Sequence, residues 1–217
     1  FKRLADGDAG PNTGGMGAYS PLDWAPAGLV DDVVTRVAQP TVDELRRRGI
    51  PFVGILYVGL ALTARGPRVV EFNARLGDPD GQAVLARLET PLGQLLHATA
   101  TGGLADVAPL RWSADQAVVV VVASAGYPAA PVTGDAIGGV VEAGDVEGVV
   151  VLHAGTAVGA DGTLVSAGGR VLDVVAVGTD LTSARLAAYE AVGRIELHGA
   201  QHRTDIALAA AQGRIGP

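Results

Sequence analysis

The chain has 217 residues, 48% of them hydrophobic, which is enough to bury one substantial core or two modest ones. Its 16 Lys and Arg stand against 23 Asp and Glu, and the formal charge of -7 argues against nucleic acid and for a small-molecule partner. The chain has no cysteine, which excludes disulfides and thiolate metal sites. This composition is compatible with a cytoplasmic location. No stretch approaches the roughly 18 apolar residues of a membrane helix, so no membrane partner is expected.

Turn formers dominate residues 6–21, which we predict to be a loop without a regular helix or a central strand. The opening residues 1–5 have the composition of the interior of a domain. We therefore expect the chain to be part of a longer protein. Residues 29–48 show helical apolar spacing that Pro40 must kink or split, and Gly49 ends this helix.

Two runs rich in β-branched and aromatic residues, 52–63 and 68–75, are joined by a tight connection and predict a β-hairpin. Helices are expected next over residues 82–88 and 91–101. A change in composition follows near residues 105–109.

Beyond it we predict short strands at 116–124, 139–141, 149–154 and 170–177. A helix follows, with Asp180 as its N-cap and an apolar face from Leu181 to Ile195. The whole pattern predicts an α+β protein with a domain boundary between residues 107 and 108. The oligomeric state is not decided by these patterns, and a monomer remains open.

Polar side chains alternate along the second hairpin strand. Glu71, Asn73 and Arg75 should point to one face, while Val70 and its apolar neighbours point to the core. Carboxylate and amide oxygens suit Mg²⁺, which takes few protein ligands and completes its shell with water and phosphates. Arginine binds a carboxylate or phosphate through two parallel hydrogen bonds. The spacing alone also fits an ordinary exposed strand face.

The glycine-rich loop is a second signal. Backbone amides near Gly14 and Gly15 can approach an anion closely and form a concave set of donors. The loop matches neither the phosphate-loop signature nor the dinucleotide fingerprint, so an ordinary connecting loop stays open on this evidence.

Taken together, the motifs DGDAGPNTGGMGAYSP at 6–21, GILYVGL at 54–60 and EFNARLGDP at 71–79 resemble the phosphoribosylamine-glycine ligase family of ATP-grasp enzymes. The resemblance continues through HAGT at 153–156, GGRVL at 168–172 and RTDI at 203–206. It implies that residues 1–107 are the C-terminal part of an ATP-grasp domain whose N-terminal lobe is missing. Residues 108–217 would then be the small C-terminal domain.

The same resemblance implies a function. ATP, glycine and 5-phosphoribosylamine would be the substrates, joined through glycyl phosphate, and the chain alone should be inactive. Glu71 and Asn73 would bind Mg²⁺ or Mn²⁺, and Arg75 would steady the glycine carboxylate or acyl phosphate. The loop residues expected to contact ATP are Asn12, Thr13, Gly14 and Gly15.

The sequence departs from the usual family motif NCRFGDPET at Ala74, Leu76, Asp80 and Gly81, which removes no proposed ligand. Two alternatives remain open: another ATP-grasp carboxylate-amine ligase or carboxylase, and a non-catalytic Mg-nucleotide-binding module. Arg170 and Arg203 are considered for a substrate phosphate, but a surface salt bridge is the expected role of either one taken singly.

Overall fold

The computed structural model describes residues 1–215 and divides into two compact units. Unit 1 contains Phe1–Pro21, Asp78–Arg87 and Ser113–Arg214, and unit 2 contains Leu22–Gly77 and Leu88–Trp112 with Ile215. These units are defined by packing within the structure. The domain boundary predicted between residues 107 and 108 concerns the domains of the longer protein and stays a proposal. Among residues 1–215, no helix combines the length and apolar character that a membrane crossing requires.

The secondary structure is mixed, as predicted, and its elements are numbered here in chain order. The strands are β1 (Arg3–Ala5), β2 (Ala9–Asn12), β3 (Gly17–Ser20), β4 (Tyr57–Thr63), β5 (Gly66–Asn73), β6 (Gln116–Ala123), β7 (Ile137–Gly138), β8 (Val149–His153), β9 (Thr156–Val158), β10 (Leu164–Ser166), β11 (Arg170–Gly178) and β12 (Glu196–Leu197). The helices are α1 (Leu29–Val33), α2 (Gln39–Arg47), α3 (Asp80–Ala86), α4 (Leu92–Thr101), α5 (Val140–Gly144), α6 (Leu181–Val192) and α7 (Leu208–Ala211).

Unit 1 is built on a four-stranded antiparallel sheet in the order β3-β6-β11-β8. Helix α6 packs on one face of the sheet and the shorter α3 packs on the other. Because both faces of β6 are covered, its run of valines is buried from Ala117 to Ala123. The apolar run that the sequence predicts to be a strand is therefore the centre of the core.

The predicted N-cap of α6 is confirmed. The Ser183 amide donates to Asp180 Oδ1 at 2.7 Å, and the Asp180 amide donates to Ser183 Oγ at 3.2 Å. This reciprocal pair satisfies donors that the first helical turn leaves unpaired. It fixes where the helix begins, and the apolar stripe then determines which face meets the sheet.

Unit 2 shows how the chain accommodates Pro40. Helix α1 continues into a π-helical segment, Val34–Ala38, and then into α2, so the predicted helix is kept but locally widened. Proline removes a backbone donor, which fits the local change of helix type at this point; nearby, the Thr41 hydroxyl donates to the Val37 carbonyl at 2.7 Å. Gly49 ends the helical stretch with a φ of +78°, as predicted.

Two predictions about local structure are wrong. Residues 139–141, expected to be a strand, contain the start of α5, because Gly139 adopts a left-handed φ of +72° and precedes the first helical turn. Residues 6–21 are not only a loop: they contain β2 and β3, and β3 pairs with β6 at the edge of the sheet. Small residues allow this close approach, since a Cβ at Gly17 would lie 2.6 Å from the Val119 carbonyl oxygen.

Candidate functional site

The glycine-rich loop of unit 1 follows β2, which ends at Asn12. Hydrogen bonds to Lys2, to Tyr127 and within the loop hold it in place. The Thr13 amide and hydroxyl both donate to the Lys2 carbonyl, at 2.7 and 2.9 Å. The Gly15 amide donates to Thr13 Oγ1 at 3.0 Å, and the Gly14 amide donates to the Tyr127 hydroxyl at 2.9 Å. An anion binding to these two amides would have to replace both contacts.

Neighbouring groups occupy the space of a side chain at both glycines: the movable end of Arg170 at Gly14, and the ring of Pro79 at Gly15. A Cβ at Gly14 would lie 2.9 Å from Arg170 Cζ. Gly15 has a φ of +126°, and a Cβ there would lie 2.5 Å from Pro79 Cδ. A side chain here would block the close approach of an anion to these amides. The contacts show that it would disturb the fold as well.

We therefore expect Gly15→Ala to destabilise unit 1 by about 3 kcal/mol or more, because backbone strain and a steric clash add. The matched control is Gly162→Ala, where φ is +86° but no atom lies within 4 Å of the new Cβ. That variant should lose only about 1 kcal/mol. Thermal unfolding of both variants measures the difference, and equal losses would contradict the packing role of Gly15.

A chain of polar contacts runs from this loop to the centre of the sheet. Arg170 Nη1 donates to the Gly15 carbonyl at 3.4 Å and to the Asp78 carbonyl at 3.0 Å, while Nη2 pairs with Asp78 Oδ2 at 3.1 Å. Gln82 Nε2 donates to Asp78 Oδ1 at 3.3 Å and to Asp173 Oδ2 at 2.9 Å. One amide nitrogen thus bridges two carboxylates.

Asp173 is a buried acid in the middle of the valine-rich strand β11. It is 3% exposed, and its Oδ1 has no hydrogen-bond partner. Burial, followed by the nearby charge of Asp78, raises the pKa of Asp173 from 3.8 to about 6, against smaller opposing effects of Gln82 and Arg170.

The sign of this pKa shift sets its effect on stability. A carboxyl whose folded pKa is raised favours the fold most when it is neutral, below about pH 3.8, and this contribution is lost as the pH rises through about 6. At roughly 1.4 kcal/mol for each unit by which the pKa is raised, ionised Asp173 costs about 3 kcal/mol at neutral pH.

The hairpin of unit 2 carries the predicted metal ligands. Glu71 is paired with Gly59, and Asn73 with Tyr57, in a regular antiparallel register. Alternation along β5 therefore places Glu71 and Asn73 on one face. A Cβ at Gly59 would lie 3.0 Å from Glu71 Cγ, so this glycine leaves room for the carboxylate.

The expected apolar face of the same strand is not a core face within unit 2. Val70 is 69% exposed and Phe72 is 44% exposed. The pairing shifts between Gly59 and Leu60, so two residues of β5 are spanned by one step of β4, and the simple alternation fails at Val70.

Arg75 departs from the prediction as well. Strand β5 ends at Asn73, so Arg75 lies in the bend that follows, and strand alternation does not fix its direction. Its Nη1 donates to the Leu76 carbonyl at 2.7 Å, a local contact within the turn. Strand β5 therefore ends two residues before the predicted end at Arg75, ahead of the Leu-Gly-Asp-Pro turn.

The donors on β5 fit a hard divalent cation. Glu71 offers a carboxylate and Asn73 an amide oxygen, the ligand types that Mg²⁺ uses when water and phosphates complete its shell. Residues 1–215 contain no cluster of three or more His, Cys, Asp or Glu arranged to hold a metal. A two-ligand site that depends on a bound phosphate agrees with both observations.

Arg203 does not have the geometry of a phosphate-binding arginine. Its side chain is 1% exposed and pairs with Asp8 and Asp205, both at 2.7 Å. Although burial works to lower it, the pKa of Arg203 is held above its ordinary value by hydrogen bonds and ion pairing with Asp205 and Asp8. Nearby, the Thr204 amide donates to Asp6 Oδ1 at 2.8 Å. We call these five residues, Asp6, Asp8, Arg203, Thr204 and Asp205, the terminal clasp.

Two family models match the chain. Residues 1–81 match the phosphoribosylglycinamide synthetase ATP-grasp (A) domain, and residues 117–209 match the C domain of the same enzyme. The chain belongs to the phosphoribosylglycinamide synthetase family. The two matches confirm the predicted α+β class, with an ATP-grasp part followed by a C-terminal domain.

Relatives in this family carry the name phosphoribosylamine–glycine ligase. The Streptomyces coelicolor protein is 65% identical over 97% of this chain and 51% of its own length. The Mycobacterium tuberculosis protein is 56% identical over 99% of this chain and 50% of its own length. The chain thus spans about half the length of the relatives it matches.

Solved structures agree on the family fold. The Thermotoga maritima phosphoribosylamine–glycine ligase superposes with a TM-score of 0.83 at 34% identity, covering 94% of this chain and 49% of that one. N5-carboxyaminoimidazole ribonucleotide synthetase from the same organism gives a TM-score of 0.52 at 21% identity, covering 77% and 42% of the two chains. The second likeness reflects the fold alone.

Sequence reasoning missed four residues of unit 1 that surround the family's glycine-rich loop: Asp78, Gln82, Tyr127 and Asp173. One of them had a visible signal, since Asp173 interrupts a run of apolar residues in a predicted strand. The others could not be found from spacing, because each reaches the loop or Asp173 from a distant part of the chain.

Proposed function

We propose that this chain forms part of a phosphoribosylamine-glycine ligase that joins glycine to 5-phosphoribosylamine at the expense of ATP. The observation that carries the proposal is the glycine-rich loop and the Glu71–Asn73 pair on β5, found in a chain whose two parts match the two domains of one family. The identity of 65% to a protein with this name supports the same substrates.

The alternative enzyme class receives less support. N5-carboxyaminoimidazole ribonucleotide synthetase is 21% identical with a TM-score of 0.52, against 34% and 0.83 for the phosphoribosylamine–glycine ligase. The non-catalytic alternative is disfavoured by the retention of both proposed metal ligands, Glu71 and Asn73, in a regular strand register.

The proposed reaction needs charge stabilisation more than proton transfer. The glycine carboxylate would attack the γ-phosphate of ATP to form glycyl phosphate and release ADP, and the amine of phosphoribosylamine would then displace phosphate and lose a proton to form the amide. Glu71 and Asn73 would hold Mg²⁺ or Mn²⁺, which supplies positive charge against the triphosphate when bound. Arg75 would contribute a second cation toward the glycine carboxylate or the acyl phosphate.

The loop is proposed to contact ATP through Asn12, Thr13, Gly14 and Gly15. Gly14 is exposed, and its amide already donates to a side-chain hydroxyl, so a phosphate oxygen could take the place of Tyr127. This exchange would let the loop close on ATP without breaking a backbone–backbone hydrogen bond. We further propose a cytoplasmic location and a monomeric state.

The test is a chimeric enzyme. The matching half of the Streptomyces coelicolor relative is replaced by this chain, and ADP formation is measured with and without glycine and phosphoribosylamine. We expect turnover that requires both substrates in the chimera and no glycine-dependent ATP hydrolysis by the 217 residues alone.

Two results would count against the proposal. A folded chimera that hydrolyses ATP without regard to glycine would favour another ATP-grasp reaction, and a folded chimera without any nucleotide turnover would favour a non-catalytic module. The unmodified Streptomyces enzyme, prepared in parallel, is the positive control.

A further inference from the structure

We propose that Asp173 is a positioning residue for the glycine-rich loop, acting through Gln82, Asp78 and Arg170. The inference rests on the proposed function only where it links the loop to substrate binding. Its structural part concerns unit 1 alone and stands on the contacts among these four side chains.

The contacts form one continuous path. Asp173 accepts a hydrogen bond from Gln82 at 2.9 Å, and the same amide nitrogen reaches Asp78 at 3.3 Å. Asp78 uses its other carboxylate oxygen to bind Arg170 at 3.1 Å. The guanidinium then lies against Gly14, where a Cβ would be 2.9 Å away, and donates to the Gly15 carbonyl.

Each step restricts the next. Gln82 is a residue of α3, so its side chain could adopt other rotamers if no acceptor fixed its amide. With Asp173 as the fixed acceptor on a central strand, Gln82 holds one oxygen of Asp78 and leaves the other directed at Arg170. In addition to its own hydrogen bonds to Lys2 and Tyr127, the loop is thus linked through these side chains to a central strand of the sheet.

The burial of Asp173 argues for such a role. An apolar side chain would fill the same site without the cost of a buried carboxyl, and a residue that only packs has no need of an acceptor. Gln82 from α3, Asp78 from the preceding turn and Arg170 from the start of β11 are the polar and charged groups that act on Asp173.

The experiment compares two substitutions in this chain. Asp173→Leu removes the acceptor for Gln82, whereas Asp173→Asn keeps an acceptor oxygen and removes the charge. Hydrogen exchange of the Gly14 and Gly15 amides should become on the order of tenfold faster in the Leu variant and stay near wild type in the Asn variant. Exchange at the β6 amides should change little, which separates loop release from general unfolding.

A double-mutant cycle tests the path. If Asp173 acts through Arg170, then Asp173→Leu should add little to loop exchange in an Arg170→Met background. Additive effects would show that Asp173 influences the loop by another route and would overturn the proposal. Unchanged loop exchange in Asp173→Leu, with an intact fold, would overturn it directly.

The link to substrate is tested in the chimera. Asp173→Leu should raise the KM for ATP several-fold while changing kcat little. The reason is that the loop is proposed to bind ATP and to take no part in the chemical steps. Asp173→Asn should restore the KM. A chimera without activity would reject the proposed function yet leave the exchange result intact, whereas a normal KM in Asp173→Leu would confine Asp173 to a structural role and overturn its link to the substrate.

Discussion

Glu71→Gln in the chimeric ligase should lower the rate by about a hundredfold or more, as expected when a charged electrostatic contact in a transition state is lost. The substitution keeps the shape of the side chain and removes its charge. Because glycine enters with an ionised carboxylate, no general base is needed, and we attribute the loss to weaker metal binding. Excess Mg²⁺ or Mn²⁺ should therefore restore part of the rate.

The measurement is rate against metal concentration, with thermal unfolding followed in parallel. Glu89→Gln is the matched control, since Glu89 is an exposed carboxylate of the same unit outside β5. A purely structural Glu71 would instead give a lower melting temperature with unchanged activity per folded molecule. Normal activity and normal metal dependence in Glu71→Gln would remove Glu71 from the site.

The second large effect is expected at the terminal clasp. Arg203→Met should destabilise unit 1 by about 2–4 kcal/mol, because Asp205 loses a buried partner, whereas Asp8 is 70% exposed and is readily hydrated. For a chain of this size the melting temperature should fall by roughly 10 °C. The loss should be smaller in acid, since hydrogen bonds from Arg203 hold the pKa of Asp205 below its ordinary value and this contribution disappears as the pH falls through that range.

Arg194→Met provides the control. Arg194 pairs with Glu190 at 2.5 Å on the surface, where an ion pair contributes up to about 1 kcal/mol. Circular dichroism during heating compares the two variants, and hydrogen exchange at the β6 amides assigns the loss to unit 1. A phosphate-binding Arg203 predicts the reverse: unchanged stability, and in the chimera a higher KM for phosphoribosylamine.

Much of the fold was predictable wherever one local signal dominated. Asp180 and the small-residue stripe after it specify α6, and the valine run of β6 specifies a buried strand. The hairpin followed from two β-like runs around a tight turn, and it carries Glu71 and Asn73 as expected.

Apart from those at Gly139 and Arg75, whose causes are local, the failures depend on groups distant in sequence. Gly17 is compatible with a loop until β6 supplies a strand to pair with it. The sequence assigns the apolar face of β5 to a core, which requires another element to pack against it. Among the described residues of unit 2, no element buries Val70 or Phe72. Arg203 was compatible with both a phosphate and a salt bridge until Asp8 was seen beside it.

The terminal clasp also has a consequence for protein synthesis. Asp6 and Thr204 are 198 positions apart, so at about 5–20 residues per second the ribosome needs roughly 10–40 s between them. Strand β6 emerges about midway through this interval, before β11 exists to cover its edge. The clasp of unit 1 therefore cannot form until residues 203–205 have been synthesised, and one edge of the valine strand stays uncovered until β11 emerges.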